Sequence, residues 1–396
     1  MGEWSIEILK GIGMFFLHPL FYLGFIYSVW LGYTRVKRER KNFHIRIQDG
    51  WYEFRTYSLK GLLLGLLLSL VLLFVGVQIP WSFILVAGVV TLIFSIVLKP
   101  GILSPAWTAG ISFLLLFAIS YYSLTLPVFS NTFHNIADNV FPNIAFLMSL
   151  LLLAEGILIY KNAAKHTSPK VIRSKRGLHV GIHEVRRLWF VPLLLLVPVG
   201  KLSLPVEYWP VVPINGDAFT FLLIPYWIGF SQQIKTELPQ QAVQKFGKQV
   251  IIFSIPVVLT ALASFWLPML AFVSVAIAII GRAILSLIQK VKNNTQSYYF
   301  SKNQFGITIL DIIPGSPAEK MNLHIGEVIK TVNGILVNDE REFYQALQKN
   351  RAFCKVEVID RNGENRFVQR ALYEGEHHEL GVIFIAPEKR WTESAS

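Results

Sequence analysis

Cysteine is nearly absent: Cys354 stands alone among 396 residues. That excludes an intramolecular disulfide framework and suits a cytoplasmic setting for the segment carrying it. Charge is scarce as well, at 16% of residues against 53% hydrophobic, with a mean hydropathy of +0.48. Such a balance excludes an ordinary soluble chain and requires that much of the protein sit in a membrane. Lys and Arg are missing altogether from two stretches, Pro127–Pro142 and Pro205–Pro213, and that local absence sets orientation.

What is present is a series of apolar runs. Gly61–Ile79 carries no charge over nineteen residues, enough for a helix to cross about 30 Å of hydrocarbon at about 1.5 Å per residue. Similar runs occupy Ile12–Tyr33, Trp81–Leu98, Trp107–Leu126, Asn143–Tyr160, Val250–Trp266 and Pro268–Ile288. Two further runs, Leu188–Leu204 and Ile214–Phe230, are interrupted by Pro192, Pro198 and Pro225, and read as kinked spans or as one re-entrant hairpin. The expectation is a polytopic α-helical membrane domain of six to nine spans over residues 1–288. The first run is too long for a cleavable signal and lacks a small-residue cleavage site. His18 before Pro19 is expected to bend it.

The charge of +12 is unevenly placed. From Ser301 onward 12 basic residues face 14 acidic ones, leaving 25 against 11 in the preceding part. Nucleic acid is therefore not an expected partner. Basic loops contain Arg35, Lys37, Arg38, Arg40 and Lys41, then Lys161 to Arg187, then Lys235, Lys245 and Lys248. By the bias of Lys and Arg toward the cytoplasm, these loops and everything after Lys292 lie inside, while the loops without Lys or Arg lie outside. Contact with anionic lipid headgroups follows for the basic loops. The side on which the N-terminus lies depends on whether the number of crossings is odd or even.

The C-terminal part changes character. Residues 289–304 read as a polar linker, and Phe305–Ile313 and Cys354–Ile359 have the content of strands, with Pro314-Gly315-Ser316-Pro317 a turn. Asp339–Asn350 has helical spacing, with Phe343, Ala346 and Leu347 on one face. Residues 305–386 resemble a small cytoplasmic β-rich PDZ domain, circularly permuted because its Leu-Gly-apolar strand, Leu380 to Phe384, comes last. Residues 387–396 read as a tail. The resemblance implies a peptide-binding groove: Leu380, Gly381, Val382 and Ile383 would offer main-chain groups to a partner's terminal strand, and Phe343 and Leu347 would line the side-chain pocket.

Catalytic patterns are missing. His183-Glu184-Val185-Arg186-Arg187 begins like a zinc-protease HExxH, but Arg187 occupies the second ligand position. There is no GxSxG elbow, and Gly247-Lys248 lacks the rest of a phosphate-binding loop. Neither catalytic residues nor metal ligands nor cofactor contacts are expected. Glu155 is the one carboxylate well inside a run, expected to snorkel or pair near Lys161; Lys201 and Arg282 are expected to snorkel. His377-His378 make a poor metal pair, and Cys354 reads as a small buried hydrophobe.

The order of parts resembles the MinJ family of division-site determinants: GIGMFFLHPLFY from Gly11 to Tyr22, the basic Val36–Lys41 stretch, the multi-span body and one C-terminal recognition module. The resemblance implies a scaffold at pole and septum that links a DivIVA-like polar protein to a MinD-like ATPase, with other division membrane proteins nearby, and so restricts FtsZ rings. Two other classes remain open from the residues: a regulatory or substrate-recognition subunit of an intramembrane protease, and a transporter with a recognition tail.

Overall fold

The computed structural model describes residues 2–122, 133, 139–202, 219–302, 304–350, 352–372 and 380–385. Helices α1 (Gly2–Leu17) and α2 (Pro19–Phe43) meet at a 49° bend. His18 makes the break, accepting the Leu20 N–H on Nδ1 at 3.3 Å ahead of Pro19. Next come α3 (Tyr52–Val75), α4 (Trp81–Ile96), a tight turn at Pro100–Leu103, α5 (Pro105–Tyr121) and α6 (Val140–Leu158), the last continued by a wider turn to Ala163. Three strands follow, β1 (Ser168–Arg173), β2 (His179–Leu202) and β3 (Phe219–Ile234), and then α7 (Pro239–Ala263) and α8 (Met269–Thr295).

The expected six to nine spans are not what the chain forms. Among the described residues four helices are long and apolar enough to cross a bilayer, α3, α6 with its extension, α7 and α8, or five if the bent α1–α2 pair counts as one. Helices α4 and α5 have 16 and 17 residues, about 24 to 26 Å at the usual rise and short of the hydrocarbon thickness. The proline-bearing runs are neither kinked spans nor a helical hairpin: they are β2 and β3, paired antiparallel with Pro192 opposite Pro225. Proline inside a helix costs about 3 kcal/mol, whereas a strand edge tolerates the missing N–H. The Phe and Trp content of both runs, with Val in the first and Ile and Tyr in the second, favours the same outcome. The transporter reading rested on these segments as broken helices and loses that support. The side chain of Lys201, expected to snorkel, lies outside the described residues.

An open sheet in an apolar body must have its edges satisfied. Along β2 this is done in three stages. Strand β1 pairs with it from His179 to Glu184. Farther along, Gly61, Gly65 and Ser69 of α3 lie against it: a Cβ on Gly61 would sit 1.7 Å from the Phe190 carbonyl oxygen, one on Gly65 2.4 Å from that of Pro192, and Ser69 Oγ accepts the Leu194 N–H at 2.9 Å. Beyond the end of α3, the Ile79 N–H reaches the Leu196 carbonyl at 2.8 Å. The registers match because four helical residues rise about 6.0 Å and two strand residues about 6.6 Å. On β3, Gly229 meets the Pro100 carbonyl, and Gly11 of α1 meets Phe221.

Helix α6 is buried nearly all round and forms the centre of the bundle with α5, α7 and α8. Glu155 on α6 does not reach Lys161. It accepts from Arg282 of α8 at 2.8 Å and from Ser104 Oγ at 2.5 Å, so Arg282 is buried and paired rather than snorkelling.

Replacing Gly65 by Leu is expected to cost about 3 kcal/mol or more, because backbone rather than a movable side chain is in the way. Leu66→Ala, next to it on the exposed face, is expected to change stability little. Thermal unfolding of the detergent-solubilised protein checks the pair.

Candidate docking edge and its seat

The C-terminal strands are short: β4 (Ile307–Thr308), β5 (Asp311–Ile312), β6 (Val328–Val332), β7 (Ile335–Leu336), β8 (Phe353–Ile359), β9 (Asn365–Ala371) and β10 (Val382–Ile383), with helices α9 (Pro317–Lys320) and α10 (Glu340–Gln348). Strands β6 and β7 turn at Asn333-Gly334, both with positive φ, as a tight hairpin requires. Asp339 caps α10 by accepting the Glu342 N–H at 2.8 Å. The strands fall into two groups, β10–β5 and β4–β6–β8–β9 with β7 on β6.

This region is not the separate PDZ domain that the sequence led one to expect. One of its faces is merged with the membrane part. Ile383 and Leu310 share an apolar cluster with Ile47, Leu238 and Phe300. The Gly181 N–H donates to the Phe300 carbonyl at 2.9 Å, and His183 Nε2 bonds the Leu310 carbonyl at 2.9 Å while Nδ1 bonds Thr167 Oγ1 at 2.8 Å. Burial of Leu310 and Ile383 needs a surface from elsewhere in the chain, and Ile47, Leu238 and Phe300 supply it, with Gly181 of β2 against Leu310.

The residues expected to bind a peptide divide between two faces. Leu380, Val382, Phe343 and Leu347 are together in one core, with Phe384 4.9 Å from Phe343 ring to ring. Ile383 points the other way, into the seat. All five of these side chains are buried, so what the segment offers is main chain. Gly381 makes the turn before β10 with φ of 83°, and a Cβ there would meet Ser316 Cβ at 2.2 Å. Gly381 and Ile383 send their carbonyls to Ile313 and Leu310 on the β5 side. Strand alternation then turns the Val382 main chain toward the opposite edge, where β10 has no second strand among the described residues. His377-His378 lie outside the described residues; Cys354 is buried as expected.

Beneath the seat is a buried charge cluster that sequence reasoning missed. Arg35 pairs with Glu53 at 3.0 Å, Arg187 with Glu53 at 3.2 Å, and both Arg38 and Arg186 with Glu184. Glu39 accepts the Ile47 N–H at 3.1 Å and Ser168 Oγ at 2.9 Å. Several of these arginines had read as cytoplasmic loop charges facing lipid; Arg35, Arg38 and Arg187 instead bind α2, α3, β1 and β2 together. The one available signal was the presence of Glu39 and Glu53 among so many basic residues. His183 and Arg187 lie on a strand, about 13 Å apart, so the HExxH likeness has no helical turn to build on.

No family profile matches the chain, and no solved structure matches it. Across nearly its whole length it is 42% identical to the cell division topological determinant MinJ of Bacillus subtilis (strain 168), over 388 residues that cover 98% of this chain and 97% of that protein. The chain belongs to the MinJ family. Probable MinJ proteins of Lacticaseibacillus paracasei and Lacticaseibacillus casei (strain BD-II) are each 25% identical over 93% of the chain and 96% of their own lengths. The match to the Bacillus MinJ thus runs through the membrane body, the seat and the docking edge together.

The seat is sensitive to pH from both directions. Desolvation holds the His183 imidazole at about 4, against an ordinary 6.5; its contribution is complete above 6.5 and is lost as pH falls from there toward 4. Asp311, next to Leu310, is pushed up to about 8 by burial, against 3.8. The fold favours its neutral form, so that contribution is complete below 3.8 and is lost as pH rises toward 8. Asp311→Asn is therefore expected to raise the unfolding temperature by an amount that grows between about pH 4 and 8 and then levels off. A pH series of thermal melts reads this directly.

Proposed function

We propose that the chain is a non-catalytic membrane scaffold that determines where the division machinery assembles. The observation that carries this reading is the 42% identity with a cell division topological determinant over 98% of the chain. In this reading the protein lies in the cell membrane, enriched at septum and poles, and bridges a DivIVA-like polar protein to a MinD-like ATPase. Ring assembly is thereby kept away from poles and used septa. The physical logic is confinement: a membrane-held scaffold raises the effective concentration of its docking surfaces toward other membrane-associated proteins, so weak contacts suffice.

Within that reading, residues 305–386 form the part that captures a partner, and the capture point is the outer edge of β10. An extended segment would add there as a strand beside α10, using the Val382 main chain, with Gly381 allowing close approach near Leu380. Ile383 supports the edge from behind through the seat. Phe343 and Leu347 anchor α10 in the same core as Leu380 and Val382.

Two arms test this. A fluorescent fusion of the full chain is expected to concentrate at septum and poles; uniform membrane signal, with normal division after deletion, contradicts the scaffold role. Val382→Pro removes the outward N–H and leaves the carbonyls of Gly381 and Ile383 on the β5 side. It is expected to lower partner capture about tenfold or more while the protein still folds. Gly381→Val is no substitute, since its Cβ meets Ser316 and the fold itself would suffer.

A further inference from the structure

A cavity of about 390 Å³ opens between the Lys99–Ile102 turn, the end of β3 and the last turns of α8. Lys99, Lys235, Lys290 and Arg282 border it, and no acidic side chain does. Arg282 is committed to Glu155. The three lysines form no ion pair among the described residues, so the cavity keeps an uncompensated positive charge. Ser231, Gln232, Gln233, Asn293 and Asn294 add uncharged polar side chains to the lining.

The surroundings indicate what fits. Ile96 and Val97, just before Lys99, and Leu287, one turn before Lys290, are exposed and apolar. Each wall therefore runs from a lipid-facing strip to a lysine, the profile of a membrane–water boundary. The base of β3 also lies at the basic end of the body, the cytoplasmic side by the bias of Lys and Arg.

We propose that this cavity binds one anionic phospholipid, taking its phosphodiester between Lys99, Lys235 and Lys290 with acyl chains along the two apolar strips. The uncharged polar lining suits a hydroxyl-bearing headgroup such as glycerol. A defined pocket of this kind differs from general attraction of basic loops to a charged surface: it saturates at one lipid and discriminates among anions of equal charge. The proposal stands independently of the scaffold reading.

The test uses purified full-length protein in neutral detergent, titrated with short-chain phosphatidylglycerol, phosphatidylmethanol and phosphatidylcholine and read by native mass spectrometry. One phosphatidylglycerol is expected to bind saturably, phosphatidylmethanol several-fold more weakly, and phosphatidylcholine not at all. Lys99→Gln, Lys235→Gln and Lys290→Gln combined should weaken phosphatidylglycerol about tenfold or more; should the triple variant fail to fold, Lys290→Gln alone should weaken it several-fold. Asn294→Leu should reduce the preference over phosphatidylmethanol. Inorganic phosphate and glycerol phosphate separate the sources, since neither should displace the lipid at equal concentration. Equal binding of all three lipids, unchanged binding by the lysine variants, or displacement by free phosphate would overturn the proposal.

Discussion

An uncovered strand edge cannot persist in hydrocarbon, and this chain places a long two-stranded hairpin inside its membrane body. The rest of the architecture follows from how that edge is covered. Gly61, Gly65 and Ser69 present a strip of α3 with almost no side chain, and the β2 backbone from Phe190 to Leu194 lies directly on it. Contact is main chain to main chain at Gly61 and Gly65 and hydroxyl to main chain at Ser69, so neither partner can shift by a residue without driving a carbonyl into a side chain or orphaning the Leu194 amide. Elsewhere in membranes such small-residue rows bring two helices together; here the same physics brings a helix to a strand.

Charge pairs secure what this packing positions. Arg35, Glu53 and Arg187 tie α2 and α3 to β2 at the cytoplasmic end, and Glu155 with Arg282 ties α6 to α8. Taking such groups out of water costs several kcal/mol per ion, so these pairs contribute more to specifying one arrangement than to net stability. Their effect is local and directional: Glu39, in the same cluster, holds the Ile47 amide, and Ile47 packs with Phe300, Leu310 and Ile383. Membrane body and C-terminal region are therefore one continuous structure, and His183, bonded to both Thr167 and Leu310, stands at the joint.

Much of this was legible in the residues and some was not. The charge-free run from Gly61, the apolar stretches in α6, α7 and α8, the bend at His18 and the helical face of Phe343, Ala346 and Leu347 all appear where pattern placed them. The hairpin did not, because a window of apolar residues reports burial without reporting period, and a strand buried on both faces looks like a span. Proline was the available warning in Leu188–Leu204, and it was read as a kink rather than as an edge. Glu155 was paired with the nearest cation in sequence, although its true partner is 127 positions away. Leu380 to Phe384 carries the Leu-Gly-apolar spelling of a candidate edge, whereas its seat depends on contacts among Ile47, Leu238 and Phe300 that no local pattern records.

The contact between α3 and β2 can be measured in native membranes by disulfide trapping. In a Cys354→Ser background, Ser69→Cys with Leu194→Cys should crosslink rapidly and within one molecule, while Leu66→Cys with Leu194→Cys should not. Trapping of the second pair and not the first, or of neither, would mean that Leu188–Leu204 does not lie as a strand against this helix, and the account of the fold would be wrong at its centre.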